Sequence, residues 1–306
     1  RKLEGPRFLI TSAQNATPIH KGFLRALETM AEHVGAELVV VPYRYKNPTS
    51  VFSERQQRDD WWAPEIVKYL CNERKVLHKH LTLLGDVKTQ PTAEQPLSGF
   101  ETITHGESAI VAHPRLALRA VPVPRSRMPK LLTTTGSLTA KNYTDTKAGK
   151  KGEFHHTFGA VFVEVRGRKF HLRHVNAERD GSFIDLAHRY TCEGKVERAP
   201  RALGLVLGDL HVDFADPDAV AATFGPGGMV ETLDPEALVL HDVLDGYARN
   251  PHHRDNVFNE IAKRSQARHD FGAEVRRAVE FLRGIAGKRR RVVIASSNHD
   301  DFLARW

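Results

Sequence analysis

The first part of the chain alternates between two kinds of hydrophobic pattern. An apolar run at 7–12 predicts a strand, and apolar residues at helical spacing from Phe23 to Val34 predict a helix that ends at Gly35. A second apolar run at 37–42 predicts another strand. This order of strand, helix and strand predicts a βαβ unit, and with it an α/β fold class.

The middle of the chain has shorter apolar runs that are broken by proline and glycine. Residues 81–132 follow this pattern, which predicts a β-rich region. The runs at 160–165 and 169–175 flank a short turn and predict a hairpin. Segment 141–151 carries four lysines among small and polar residues. This composition favours a solvated, mobile loop over a loop that contacts phosphate.

The pattern changes after a charged segment at 189–201, where we expect a domain boundary. Beyond it, three apolar runs predict strands at 203–207, 237–240 and 291–295. Alternation of strands with helices predicts a parallel or mixed sheet with helices packed against it. The last of these helices has an apolar face formed by Phe271, Val275, Val279, Leu282 and Ile285.

These patterns divide the chain into two predicted domains. Residues 1–195 form an N-terminal α/β and β-rich domain whose role the sequence does not give, and residues 196–306 form the second domain. A length of 306 residues suits two domains, and 41% hydrophobic with 27% charged residues is typical of a globular protein.

Composition narrows the classes of function and location. No run approaches the roughly 20 apolar residues of a bilayer span, and the start lacks a signal peptide, so we expect no membrane association and a cytoplasmic location. Cys71 and Cys192 each lack a CxxC or Cys/His ligand spacing, which predicts buried, reduced thiols. A net charge of +8 and a pI near 9.5 favour a polyanionic partner.

Each strand of the second domain ends in a cluster of polar residues. The carboxyl ends of parallel strands meet at one edge of a sheet, where ligands usually bind, so the clusters are expected to converge. Carboxylate and imidazole groups are ligands for Mn, Fe, Zn or Mg. The clusters are Gly208-Asp209-Leu210-His211, His241-Asp242-Val243-Leu244-Asp245-Gly246 and Ser297-Asn298-His299-Asp300.

The three clusters resemble the DxH, GDxxD and GNHD motifs of the calcineurin-like metallophosphoesterases. The resemblance implies that the second domain is the first half of a calcineurin-like sandwich holding two divalent ions, with Mn first and Mg, Fe or Zn as alternatives. It implies roles for seven residues. Asp209 and His211 bind the first ion, Asp242 bridges both, Asn298 binds the second, His299 is the general acid, Asp300 orients it, and Asp245 supports the ligands from behind.

The chain departs from the family pattern at three points. His241 and Ser297 stand where the family usually has glycine. The family also completes its site with a later histidine and a GHxH segment, which are missing up to Trp306. We therefore expect a domain that is incomplete at its C-terminus and a chain that is a fragment of a longer protein. The alternatives are ligands from elsewhere in the chain, or the loss of one metal site.

The loop after the second motif bears on the substrate. It carries Arg249, His252, His253 and Arg254, which could contact a nucleic-acid backbone, although surface solvation explains such residues equally well. With the high pI, they favour a metal-dependent phosphodiesterase that acts as a nuclease on DNA. The alternatives are a small-nucleotide phosphodiesterase or phosphatase, and a non-catalytic nucleic-acid-binding protein with a degenerate phosphoesterase module.

The order of the two domains is similar to that of the early nucleases with which some tailed phages degrade host DNA. This resemblance implies a phage-encoded protein that acts in the host cytoplasm, with DNA as its partner. The sequence is also compatible with a homo-oligomer.

Overall fold

The structure is a computed structural model, and it describes residues 5–45, 61–124, 127–253, 256–287, 290–299 and 301–302. The chain forms two compact units, Arg1–Ala199 and Pro200–Trp306. Both combine helices with sheets, so the predicted α/β class is confirmed. Among the described helices, we find none with the length and apolarity that a bilayer crossing requires.

The first unit contains three sheets in the part of the chain that the structure describes. Its elements are β1 (Arg7–Gln14), α1 (Lys21–Val34), β2 (Glu37–Tyr43), a 3₁₀ helix (Pro64–Tyr69), β3 (Arg74–His78), β4 (Leu81–Leu84), α2 (Phe100–Ile103), β5 (Ser108–Val111), β6 (Leu118–Val121), β7 (Lys130–Thr134), α3 (Lys147–His155), β8 (Gly159–Arg166), β9 (Lys169–Asn176), β10 (Phe183–Asp185), β11 (His188–Tyr190) and β12 (Val196–Arg198). Strands β2-β1-β8-β9 form the first sheet, strands β3-β4-β5-β7-β6 form the second, and β10-β11-β12 form a small antiparallel third sheet.

Strand β1 is buried on both of its faces. Leu9 and Ala13 pack with helix α1, whereas Phe8 and Ile10 pack with the second sheet. β1 pairs in parallel with β2, and β8 pairs with β9 as an antiparallel hairpin, so the predicted βαβ unit and hairpin are confirmed. Helix α1 ends before Gly35, whose φ of 65° is a conformation that glycine adopts without strain.

Two expectations for the first unit are wrong. The lysine-rich segment is helical from Lys147, because the Thr146 side chain accepts a hydrogen bond from Gly149 N at 3.2 Å and caps the helix. Lys150 contacts Asp145 at 2.9 Å, so ion pairs hold part of this segment. The two cysteines are half-buried and not buried, although both are free thiols as expected.

The second unit is built on one sheet in the described part of the chain. Its elements are β13 (Leu205–Asp209), α4 (Pro217–Phe224), α5 (Met229–Leu233), β14 (Ala237–His241), 3₁₀ helices (Tyr247–Arg249 and Pro251–His253), α6 (Val257–Ser265), α7 (Phe271–Ile285) and β15 (Arg291–Ile294). The strand order is β13-β14-β15, and both strand pairs are parallel, so the predicted parallel sheet is confirmed. Leu238 and Leu240 of the central strand are fully buried.

The predicted apolar face of helix α7 is confirmed only in part. Leu282 and Ile285 pack against the core of the unit. Val275 and Val279 are exposed, whereas Glu274 and Ala278 are buried. The buried Glu274 carboxylate accepts hydrogen bonds from backbone amides of the loop after β14, contacts that the apolar pattern does not predict.

Candidate metal centre at the strand ends

Three parallel strands bring their polar clusters to one edge of the sheet. Asp209 is the last residue of β13, His241 is the last residue of β14, and Asp242 follows directly. Asp209 and His241 are register partners across the β13–β14 pair. β15 ends at Ile294 and leads into the turn that carries His299. All three clusters therefore lie where parallel strands usually place a ligand.

Backbone hydrogen bonds continue the pairing beyond the strands. Leu210 N donates to His241 O at 3.1 Å, and His211 N donates to Asp242 O at 2.8 Å. His211 and Asp242 also have φ values of 43° and 45°, in the left-handed region that residues other than glycine rarely adopt. Such strain persists only where surrounding structure enforces it, and it is concentrated at functional sites.

One group of converging side chains comprises His211, Asp242 and His299. Ligand atoms of all three lie within 4.8 Å of one another. His211 Nε2 is 4.0 Å from Asp242 Oδ2, and the His211 and His299 rings are 4.7 Å apart between centroids. Two ligand atoms that are each 2.0 to 2.2 Å from one ion can be up to about 4.4 Å apart. The 4.0 Å between His211 Nε2 and Asp242 Oδ2 therefore suits a shared ion.

A second group comprises Asp209, His241 and Asp242, again with ligand atoms within 4.8 Å of one another. His241 Nδ1 is 2.8 Å from Asp209 Oδ1 and 3.3 Å from Asp242 Oδ2. His241 was not among the residues predicted for the site, because it was read as a substitution of a glycine. Its position at the end of a strand was a signal in the sequence, but its register with Asp209 is known only from the structure. Asp242 belongs to both groups.

The chemistry of Asp242 fits a bound cation. The residue is only 4% exposed, and its Oδ1 has no hydrogen-bond partner within the described ranges. An unpaired buried carboxylate oxygen is costly, and nearly all such atoms in native proteins have a partner. The surrounding donors are carboxylate oxygens and imidazole nitrogens, which are ligands for Mn, Fe or Zn. The residues present therefore fit a divalent ion.

Asp245 contacts two histidines of the site. Its backbone carbonyl accepts a hydrogen bond from His299 Nδ1 at 2.7 Å, which leaves Nε2 of that ring to bind a metal or exchange a proton. Its Oδ1 lies 2.9 Å from His211 Nδ1. These two atoms are close but poorly aligned, since His211 Nδ1 has no hydrogen-bond partner in the described part of the chain. Asp245 thus lies behind the candidate ligands.

Helix α7 holds both ligand-bearing loops. Glu274 accepts hydrogen bonds from Tyr247 N at 3.1 Å and Ala248 N at 3.2 Å, in the loop after Asp245. Burial raises the pKa of the Glu274 carboxyl, although the amide hydrogen bonds oppose that rise. One turn later, Arg277 Nε donates to Asp213 Oδ1 at 2.7 Å, two residues after His211. The helix therefore acts as a common support for the two loops.

The loop after β14, which carries Asp245 and Gly246, passes close to Phe302. Gly246 has a φ of 67°, and a side-chain carbon there would lie 2.7 Å from the Phe302 ring. The His252 ring is 6.3 Å from that ring, which is itself 4.8 Å from the His299 ring. The loop is thereby tied to the same edge of the sheet as His299.

The remaining predicted residues differ in their placement. Asn298 is exposed on the turn beside His299, and no hydrogen bond among the described residues ties it to the cluster. Arg249 and His252 are exposed. His253 is half-buried, and burial lowers its pKa, so a charged role for this ring is disfavoured. Two further predicted site residues, Arg254 and Asp300, lie outside the residues that the structure describes.

Comparison with known proteins gives a relative but no family. The chain is 34% identical to Protein A1 of Escherichia phage T5 over 317 residues. The alignment covers 99% of this chain and 56% of that protein, so the chain spans little more than half of its relative's length. No family model matches the chain.

Among solved structures, the crystal structure of Vps29 from Chaetomium thermophilum matches with a TM-score of 0.29 and 12% identity. The match covers 63% of this chain and 95% of that one. A likeness of this size is too weak to establish a shared fold.

Proposed function

We propose that this chain carries a divalent-metal site for the hydrolysis of phosphodiesters. The observation that carries the proposal is the convergence of two groups of ligand-type side chains on buried Asp242, whose Oδ1 has no hydrogen-bond partner in the described structure. Resemblance of the three strand-end clusters to the metallophosphoesterase motifs supports the same reading. Asp209, His211, His241 and Asp242 are the residues that would hold the ions, with Asn298 as a further candidate.

The chemistry divides between the ions and the chain. Bound divalent ions of this kind polarise phosphoryl oxygens and lower the pKa of water. His299 is suited to protonate the departing oxygen, because its Nδ1 is engaged by the Asp245 carbonyl and only Nε2 is available for proton exchange. In this proposal Asp300 orients His299, as the family resemblance implies.

We further propose nucleic acid, and DNA in particular, as the substrate. Arg249 and His252 are exposed on the loop that follows Asp245, and the chain has a net charge of +8. A phosphate backbone that crosses this loop would bring a phosphodiester toward His299. Similarity to a protein of phage T5 supports a phage origin, and with it action in the host cytoplasm.

Hydrolysis of bis(p-nitrophenyl) phosphate by the 306-residue chain with Mn²⁺ tests the catalytic proposal. Asp242→Asn should abolish most of the turnover, because the residue is shared by both ligand groups. Asp218→Asn, at an exposed aspartate, makes the same chemical change and should leave turnover intact. Absence of Mn-dependent turnover in the wild type, with duplex DNA still bound, would favour the non-catalytic nucleic-acid-binding alternative.

The substrate is tested by the salt dependence of DNA binding. Each phosphate contact that is lost should reduce the slope of log affinity against log salt by about one unit. Arg249→Ala should produce that change, whereas Arg276→Ala, at a side chain that is 69% exposed on α7, should not. Equal slopes in the wild type and both variants would favour the small-nucleotide alternative.

A further inference from the structure

An apolar groove of about 290 Å³ lies directly beside the candidate metal centre. Asp209, which belongs to the second ligand group, is also part of its lining. The groove therefore adjoins the second ligand group through Asp209. The apolar side chains of its walls include Leu207, Leu210, Val220, Phe224 and Met229.

Helix α4 forms one wall of the groove and is more apolar than is usual for a helix without buried residues. Its sequence from Pro217 to Phe224 is largely apolar, yet none of its residues is buried. The helix is nevertheless well capped, since Asp216 Oδ1 accepts hydrogen bonds from Asp218 N at 2.9 Å and Ala219 N at 3.2 Å. Covering a preformed apolar wall that is open to water removes apolar surface from the solvent, which favours ligand binding.

The charges around the groove restrict what that ligand can be. Among the described residues that line it, Asp209 and Asp216 are charged, and neither lysine nor arginine is present. An anionic group is therefore repelled from the groove, and a neutral, flat, apolar group is favoured. Phe224 supplies an aromatic surface, and its ring is held edge-on against Phe281 at 5.2 Å between centroids.

We propose that the groove binds the nucleobase of a nucleoside phosphoester whose phosphate is held at the Asp209–Asp242 cluster. The proposal rests on the proposed function, because it requires a phosphate at that cluster. Neutral bases suit the absence of cationic lining, and stacking on Phe224 accepts any base, so the groove selects nucleotides without selecting a sequence. It thereby separates nucleoside esters from simple phosphoesters.

The test measures calorimetric binding of thymidine 5′-monophosphate and of methyl phosphate to the 306-residue chain in Mn²⁺. The wild type should bind the nucleotide about 5- to 150-fold more tightly, which is the range that base stacking on an aromatic ring provides. Ala219→Leu fills the groove and should reduce this ratio to below about threefold, with methyl phosphate binding unchanged.

Ala222→Leu is the matched control, because Ala222 is an exposed alanine of the same helix that does not line the groove. It should keep the wild-type ratio. Equal binding of both ligands by the wild type, or an equal loss in both leucine variants, overturns the groove proposal while leaving the metal centre intact. Failure of the wild type to bind either ligand in Mn²⁺ overturns the proposed function and, with it, the groove proposal.

Discussion

Replacing Glu274 by glutamine should weaken the candidate metal centre from a distance. The Glu274 side chain accepts hydrogen bonds from Tyr247 N and Ala248 N, and these anchor the loop that carries Asp242 and Asp245. A glutamine side chain offers one oxygen where the carboxylate offers two. One buried amide therefore loses its acceptor, and the loop loses part of its attachment to α7.

The size of the effect follows from these contacts. Glu274 is only 3% exposed, so solvent cannot replace the lost acceptor. Leaving one buried backbone donor unpaired costs about 1–3 kcal/mol. Partners that support metal ligands from behind typically change metal affinity by about 10- to 100-fold. We therefore expect local destabilisation of the loop together with a drop in Mn²⁺ affinity of that order.

Two measurements check this prediction. Hydrogen–deuterium exchange should be faster in the peptide that contains Tyr247 and Ala248, and calorimetric titration should give weaker Mn²⁺ binding. Glu280→Gln makes the same change at an exposed position of α7 and should behave like the wild type. If Glu274→Gln and Glu280→Gln exchange at the same rate and bind Mn²⁺ equally, α7 does not support the site.

Three further predictions follow from the described contacts. Arg277→Met breaks the ion pair with Asp213, which holds the loop that carries His211, and should lower Mn²⁺ affinity about tenfold. Arg276→Met should leave the affinity unchanged, and equal affinities in the two variants would refute this prediction. His299→Ala should lower phosphodiester turnover about 100- to 10,000-fold while stoichiometric metal binding remains, and loss of bound metal would instead make this residue a ligand. Burial lowers the pKa of His113 and of His156 from 6.5 to about 4, so the stability that each neutral ring provides is complete above pH 6.5 and falls as the pH drops toward 4. The loss is at most about 3 kcal/mol per ring; urea unfolding of His156→Gln at pH 7 and 5 should show a smaller loss than the wild type, and an equal loss would contradict the reasoning.

The sheet of the second unit was predictable because its strands are short apolar runs separated by polar segments. Parallel pairing then follows from the alternation with helices, and it brings the strand ends to one edge. Asp209 and His211 could be singled out for this reason. His241 could not, because its contact with Asp209 depends on the register of two strands, which the sequence of either strand alone does not give.

The support behind the site was harder to foresee. Apolar spacing predicts five residues on the core face of α7, and Leu282 and Ile285 do pack there. Val275 and Val279 are exposed instead, and the protein buries Glu274. That choice depends on backbone amides of a distant loop, and such amides leave no trace in the side-chain pattern. The helix at Lys147 was missed for a related reason. A lysine-rich composition suggests a solvated loop, but the cap at Thr146 and local ion pairs stabilise helix there.

The most direct test of a metal centre at Asp242 is calorimetric titration of the 306-residue chain with Mn²⁺. The wild type should bind the ion, and Asp242→Asn should bind it more than about 100-fold more weakly, because the loss of a direct ligand exceeds the effect of a supporting residue. Asp218→Asn should match the wild type. Binding of equal strength in Asp242→Asn and the wild type, or no binding by the wild type, would contradict the account.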